Sequence, residues 1–250
     1  MTFVLGIIDG AKGIIEDAKE GEVPYIALVK VLHPHTGVFE PLCAGAIISE
    51  TEILTNAVCA AACKATYKCE VYVGRVNVNH GGKKVEIKDT VWHESYVEMN
   101  AILPDTRFAN LVLDIGILYM SRIPLSETVK IIALPQENLE RKSDMRIAGW
   151  GSGFLYGIAH HEKLKVAVSR AYETYVINKE ILVIKTMEFY PRPCVSDMGA
   201  PIVYMNNTVL AGVGSLWTFK LCKRDDTTRA FYTDIYNNTE WIANNRNKIV

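Results

Sequence analysis

The side chains able to do chemistry in this 250-residue chain are unevenly placed. The densest stretch is Cys194-Val195-Ser196-Asp197-Met198-Gly199-Ala200-Pro201, with a thiol, a hydroxyl, a carboxylate and a thioether close together. A hydroxyl becomes a nucleophile only with a base in hydrogen-bond reach. A thioether has no proton to lose and forms no acyl intermediate. Histidines occur as His33-Pro34-His35, at His80, at His93 and as His160-His161. The first pair could hold a metal, but no third ligand is nearby, and a solvated hairpin tip accounts for it better. Neither a metal nor any other cofactor is expected. Asp114 is a carboxylate inside the apolar run Leu113-Asp114-Ile115-Gly116-Ile117-Leu118.

The six cysteines are Cys43, Cys59, Cys63, Cys69, Cys194 and Cys222. An even count permits full pairing in several ways. No two Cys-x-x-Cys units occur, so a structural zinc site is not expected. Asn206-Asn207-Thr208 and Asn237-Asn238-Thr239 are glycosylation sequons, which matter only in a secretory compartment.

The elements that must carry these groups read as short strands. Tyr25 to Leu32, Cys69 to Val76, Leu111 to Met120, Lys163 to Tyr172, Ile181 to Met187 and Phe231 to Ile235 are apolar or β-branched, and Lys83 to Trp92 is a further strand that alternates from Lys83 to Lys88. Ala200 to Val203 and Thr208 to Leu216 form a hairpin, and a helix starts at Thr239 with Asn238 or Thr239 as cap. With 49% hydrophobic residues the chain can build a large core. A formal net charge of -1 argues against nucleic acid as a partner, and no apolar run suits a membrane span. The apolar start, Met1 to Ile8, is short, lacks a basic flank and shows no clear cleavage site.

The stretch around Met198 resembles the nucleophile loop of trypsin-like serine proteases, Gly-Asp-Ser-Gly-Gly-Pro after a cysteine. Leu42-Cys43-Ala44-Gly45-Ala46-Ile47-Ile48-Ser49 resembles that family's Cys-Gly-Gly-Ser-Leu-Ile. Ile53-Leu54-Thr55-Asn56-Ala57-Val58-Cys59 resembles Leu-Thr-Ala-Ala-His-Cys, and Ile147-Ala148-Gly149-Trp150-Gly151 resembles Ser-Gly-Trp-Gly. The motifs stand in the family's order. The resemblance implies an all-β fold of two six-stranded antiparallel β-barrels with a C-terminal α-helix. One domain would span 1–250, with the first barrel at 14–123, the linker and second barrel at 124–238, and the helix at 239–250. It implies disulfides Cys43–Cys59 and Cys194–Cys222, which leaves Cys63 and Cys69 to each other.

The same resemblance puts Val58 at the general base, Met198 at the nucleophile and Asp114 at the aspartate that orients the base. Asp114, with no imidazole to orient, would cap backbone donors or hold a water. Arg192 falls at the pocket floor, Ser196 at an oxyanion-hole glycine, and Leu216, Trp217 and Ala230 along the pocket. These replacements imply a blocked cleft and a chain that is not an enzyme. His93 would be structural, and Ser196 and Ser215 lack a placed base, so a cryptic hydrolase is disfavoured. Ile7 and Ile14 both resemble the family's mature start, whose amine would pair with Asp197.

Within the family, the lost base and nucleophile resemble the scabies mite inactivated serine protease paralogues, relatives of the group 3 mite allergens. That implies a secreted, extracellular monomer in the mite gut lumen that binds host plasma proteins, complement components foremost. The competing reading is a decoy that sequesters protease inhibitors or substrates through the old cleft.

Overall fold

The computed structural model describes residues 16–94, 96, 113–138, 144–151, 161–177, 181–187, 198–204, 209–215 and 230–248. The described chain opens with a two-residue strand, β1 (Glu16–Asp17). Strands β2 (Ile26–Leu32), β3 (Phe39–Ser49), β4 (Glu52–Thr55), β5 (Cys69–Val73), β6 (Lys83–Val85), β7 (Ile87–Trp92) and β8 (Gly116–Met120) follow. They pair in the order β6-β5-β2-β3-β4-β8-β7. The two ends of that order, β6 and β7, are separated only by Glu86. One bent strand therefore serves both edges, and the sheet closes into a six-stranded barrel that leaves no free edge. The stretch from Lys83 to Trp92, expected as one strand, is thus divided at Glu86, because each half bonds a different neighbour.

The second sheet uses β9 (Asp144–Gly149), β10 (Lys165–Ile177), β11 (Ile181–Met187), β12 (Pro201–Tyr204), β13 (Leu210–Gly214) and β14 (Ala230–Asp234). Its order is β1-β10-β11-β14-β13-β12-β9, and β10 also pairs with β9. The first half of β10, from Lys165 to Arg170, lies on β9, and the rest lies on β11. This long strand closes a second six-stranded ring, with β1 added at its margin against Val166 and Lys165. Two six-stranded antiparallel barrels are thus what the described residues form, as the motifs imply.

Period-two alternation explains why the strands read as nearly unbroken apolar runs. Ile26 and Leu28 of β2 face a core shared by both barrels, with Ile115, Ile117, Trp150, Val213 and Trp241. Ala27, Val29 and Val31 face the interior of the first barrel, with Leu42, Ile53, Val71 and Leu118. The second barrel is filled by Met145, Ile147, Ile202, Tyr204, Ala211 and Tyr232.

Helix α1 (Ala57–Ala61) follows β4, and helix α2 (Thr239–Asn245) follows β14. Asn238 precedes α2 but does not cap it. Its side chain donates backwards to the Asp234 carbonyl at 2.6 Å, and Thr239 Oγ1 donates to the Tyr236 carbonyl at 2.8 Å. A tight turn before the helix claims both side chains, which a sequence-based cap assignment does not foresee.

The end of α2 crosses back to the first barrel. Glu52 of β4 is 1% exposed, pairs with Arg246 Nε at 3.2 Å and accepts the Asn247 N–H at 2.7 Å. Tyr119 of β8 donates to the Asn245 carbonyl. Glu52→Ala should strand the half-buried guanidinium and a backbone donor, at about 3 kcal/mol. Hydrogen exchange of residues 245–248 should accelerate along with that loss. Unchanged exchange there would contradict this account of the tether.

Candidate functional site

The site begins with the turn that delivers Asp114. Leu113 has φ 66°, a conformation costly for a branched residue, and the Ile115 N–H bonds back to the Leu113 carbonyl at 2.8 Å. This three-residue turn drives the Asp114 side chain into the interior, where it is fully buried. Its Oδ1 accepts the Ala57 N–H at 2.9 Å, one of the donors that a helix start leaves unpaired. Its Oδ2 accepts from Ser215 Oγ at 3.0 Å and from Asn56 Nδ2 at 3.4 Å. Asn56 in turn caps α1, its Oδ1 accepting the Cys59 N–H at 3.1 Å. Thr233 of β14 donates to the Asp114 carbonyl at 3.0 Å. One carboxylate thereby joins the start of α1 to the second barrel.

Val58 lies in the first turn of α1 and packs against the interior cluster of the first barrel. Met198 is 1% exposed and belongs to that same cluster, which also holds Cys43 and Cys59. The backbone of this loop is held from both barrels. The Ala44 N–H bonds the Met198 carbonyl at 2.8 Å, the Gly199 N–H bonds the Gly214 carbonyl at 2.7 Å, and the Gly214 N–H bonds the Ala200 carbonyl at 2.9 Å. Neither a valine nor a methionine side chain at these positions carries a proton to exchange. Ser215 is fully buried and spends its hydroxyl on Asp114.

Disulfides join Cys43 to Cys59 and Cys63 to Cys69, with Cα separations of 6.3 Å and 5.4 Å. Ala230 lies in β14, where its backbone pairs with Thr186. Arg192, Cys194, Ser196, Asp197, Asn206, Leu216, Trp217 and Cys222 lie outside the described residues, as do Ile7 and Ile14. Asn237 is exposed on the turn before α2. At the hairpin tip, His33 Nδ1 accepts the N–H groups of His35 and Thr36 at 3.2 and 3.3 Å and closes a local turn. Among the described residues, no three His, Cys, Asp or Glu side chains converge to hold a metal ion. No described helix is long and apolar enough to cross a membrane.

His93 stacks on Trp241 of α2, with ring centroids 5.6 Å apart, and Trp241 Nε1 donates to Glu94 Oε2 at 3.2 Å. Burial holds the His93 imidazole below its ordinary pKa of 6.5, against the opposing pull of Glu94. The folded state thus favours the neutral ring, and the unfolded chain takes up the proton first. The stabilising contribution is complete above pH 6.5 and is lost as pH falls through the lower folded-state value. Unfolding midpoints measured across this range should drop on acidification, with a shallower slope in His93→Gln. Equal slopes for the two proteins would remove His93 from the linkage.

Two closed antiparallel barrels, with a buried carboxylate at their junction and a glycine-bearing loop clamped between them, define the chymotrypsin-like fold. A model of the trypsin family, described as Trypsin, matches residues 14–242, and the chain belongs to that family. Over 152 residues it is 32% identical to the venom serine protease Bi-VSP of Bombus ignitus; the match covers 56% of this chain and 38% of that protein. The chain thus matches well under half the length of this curated relative. Among solved structures, HL collagenase superposes with a TM-score of 0.71 at 18% identity, over 94% of this chain and 98% of that one. Human heparin binding protein gives 0.71 at 19% identity, over 94% and 97%. Neuropsin from mouse brain gives 0.71 at 18% identity, over 92% and 97%.

These matches correct the expectation that the chain is not an enzyme. The family model is that of trypsin and the curated relative is a venom serine protease, and both point to a protease. The physical reason the expectation overreached is visible at Asp114. An inference from two side chains, Val58 and Met198, extends no further than those side chains. The buried carboxylate keeps a full set of hydroxyl, amide and backbone donors around it.

Proposed function

We propose that this trypsin-family chain is a secreted protein of a parasitic mite that meets ingested host plasma and binds plasma proteins, complement components foremost. The observation that supports it best is the burial of Met198. Met198, which the motifs align with the family's nucleophile, is 1% exposed, with Val58 packed against the same cluster. A partner arriving there finds Met198 covered, so its contacts fall to the surrounding surface. Two disulfides suit an oxidising extracellular setting. The stretches Glu22-Val23-Pro24-Tyr25 and Trp92 to Tyr96 resemble those of mite paralogues. The fold also serves a protein named for binding heparin.

The test is capture from human plasma together with a complement lysis assay. Immobilised protein should retain a complement component, and added protein should reduce lysis until that component is saturated. Unaffected lysis at matching concentrations would overturn the reading. Capture of protease inhibitors instead would favour a decoy working through the cleft. Following the captured partner over time on a gel separates binding from cleavage, since fragments that accumulate would be the protease activity to which the family points.

A further inference from the structure

The turn between β14 and α2 handles the three residues of one sequon in three different ways. Asn237 is exposed, and its Nδ2 donates to Asp234 Oδ1 at 2.9 Å, as does its backbone N–H, also at 2.9 Å. Asn238, its neighbour, is 6% exposed and turned inward, its amide spent on the Asp234 carbonyl at 2.6 Å. Thr239 supplies the hydroxyl that the sequon requires, and in the folded turn that hydroxyl is spent on the Tyr236 carbonyl at 2.8 Å. An amide nitrogen carries two hydrogens. At Asn237 one serves Asp234, and the other is free to be exchanged for a substituent on an exposed residue.

We propose that Asn237 carries an N-linked oligosaccharide. The donor is an oligosaccharide linked to a lipid diphosphate. The Asn237 Nδ2 forms a bond to the anomeric carbon of the first sugar, and the bond from that carbon to the diphosphate oxygen breaks. The lipid diphosphate leaves with the bonding pair, and one Nδ2 proton passes to a base of the transferase. The hydrogen that remains on Nδ2 keeps the bond to Asp234, so the sugar is added without unmaking the turn. Because the fold occupies the Thr239 hydroxyl, transfer takes place before β14 and α2 dock. The inference rests on secretion of the chain, the compartment in which its disulfides form, and not on which plasma protein it binds.

The experiment expresses the full chain with a secretion leader in insect cells and maps its peptides. Treatment with peptide N-glycosidase in heavy-oxygen water should convert Asn237 to heavy-labelled aspartate in most of the secreted protein, with no conversion when the enzyme is omitted. Thr239→Ser keeps both the sequon and the hydroxyl bond to Tyr236, and should retain the label. Thr239→Ala should lose it. Recovery of the wild-type peptide with Asn237 unmodified, from secreted and disulfide-bonded protein, would overturn the proposal whatever the variants do. Labelling that persists in Thr239→Ala would overturn it too, since conversion would then not depend on the sequon.

Discussion

Asp114→Ala is expected to destabilise the protein by about 4 kcal/mol, measured as a fall in the denaturant midpoint at neutral pH. The carboxylate is fully buried and accepts from Ala57 N, Asn56 Nδ2 and Ser215 Oγ. A buried donor left without an acceptor costs about 1–3 kcal/mol, and water entering the emptied space recovers part of the sum. Asp114→Asn should cost less, about 2 kcal/mol, because one oxygen can still take the Ala57 N–H. Its new amide would meet Ser215, which can rotate to accept, and Asn56, which cannot. Asn56 is unable to flip because its own Oδ1 is held by the Cys59 N–H. An alanine variant within about 1 kcal/mol of the parent would mean that the carboxylate is not the joint between α1 and the second barrel.

The same residues mark how far the sequence could be read. Strands β2 and β8 of the first barrel were legible because they are largely apolar at consecutive positions, and the motifs stand in a known order. Buried faces on both sides of a strand leave that signature. The expected fallback role of Asp114, capping a backbone donor, is also what its bond to Ala57 N does. Other features depend on contacts that no local pattern announces. Ser215 meets Asp114 across 101 residues, and Arg246 meets Glu52 across 194. The break at Glu86 follows from barrel closure, since Val85, Glu86 and Ile87 keep the polar-apolar alternation across it. Asn238 is a good capping residue by type, yet the turn that precedes α2 draws its amide to the Asp234 carbonyl. The neighbours of Met198 in the sequence suggest its place in the loop, but only the packing shows that its side chain joins the first-barrel cluster.

Gly199→Ala is expected to cost about 4 kcal/mol or to prevent secretion of folded protein altogether. Two effects add. Gly199 has φ 69°, where a side chain costs about 1 kcal/mol. The larger effect is steric: a Cβ there would stand 2.1 Å from Thr55 Oγ1 and 2.4 Å from the Ala44 carbonyl oxygen. The Thr55 hydroxyl cannot simply turn away, because it donates to that same carbonyl at 2.7 Å. Nor can the loop retreat, since the Ala44 N–H holds the Met198 carbonyl and the Gly199 N–H holds the Gly214 carbonyl. Gly37 supplies the calibration. Its φ is 67°, but nothing lies within 4 Å of an added Cβ. Gly37→Ala should therefore show the backbone cost alone, about 1 kcal/mol. Thr55→Ala in the Gly199→Ala background removes the nearer obstacle and leaves the Ala44 carbonyl, so it should recover only part of the loss. The set is measured by urea unfolding, with secreted yield as a second readout. Equal losses at Gly199 and Gly37, or complete recovery in the double variant, would show that the loop is not wedged between the barrels as described.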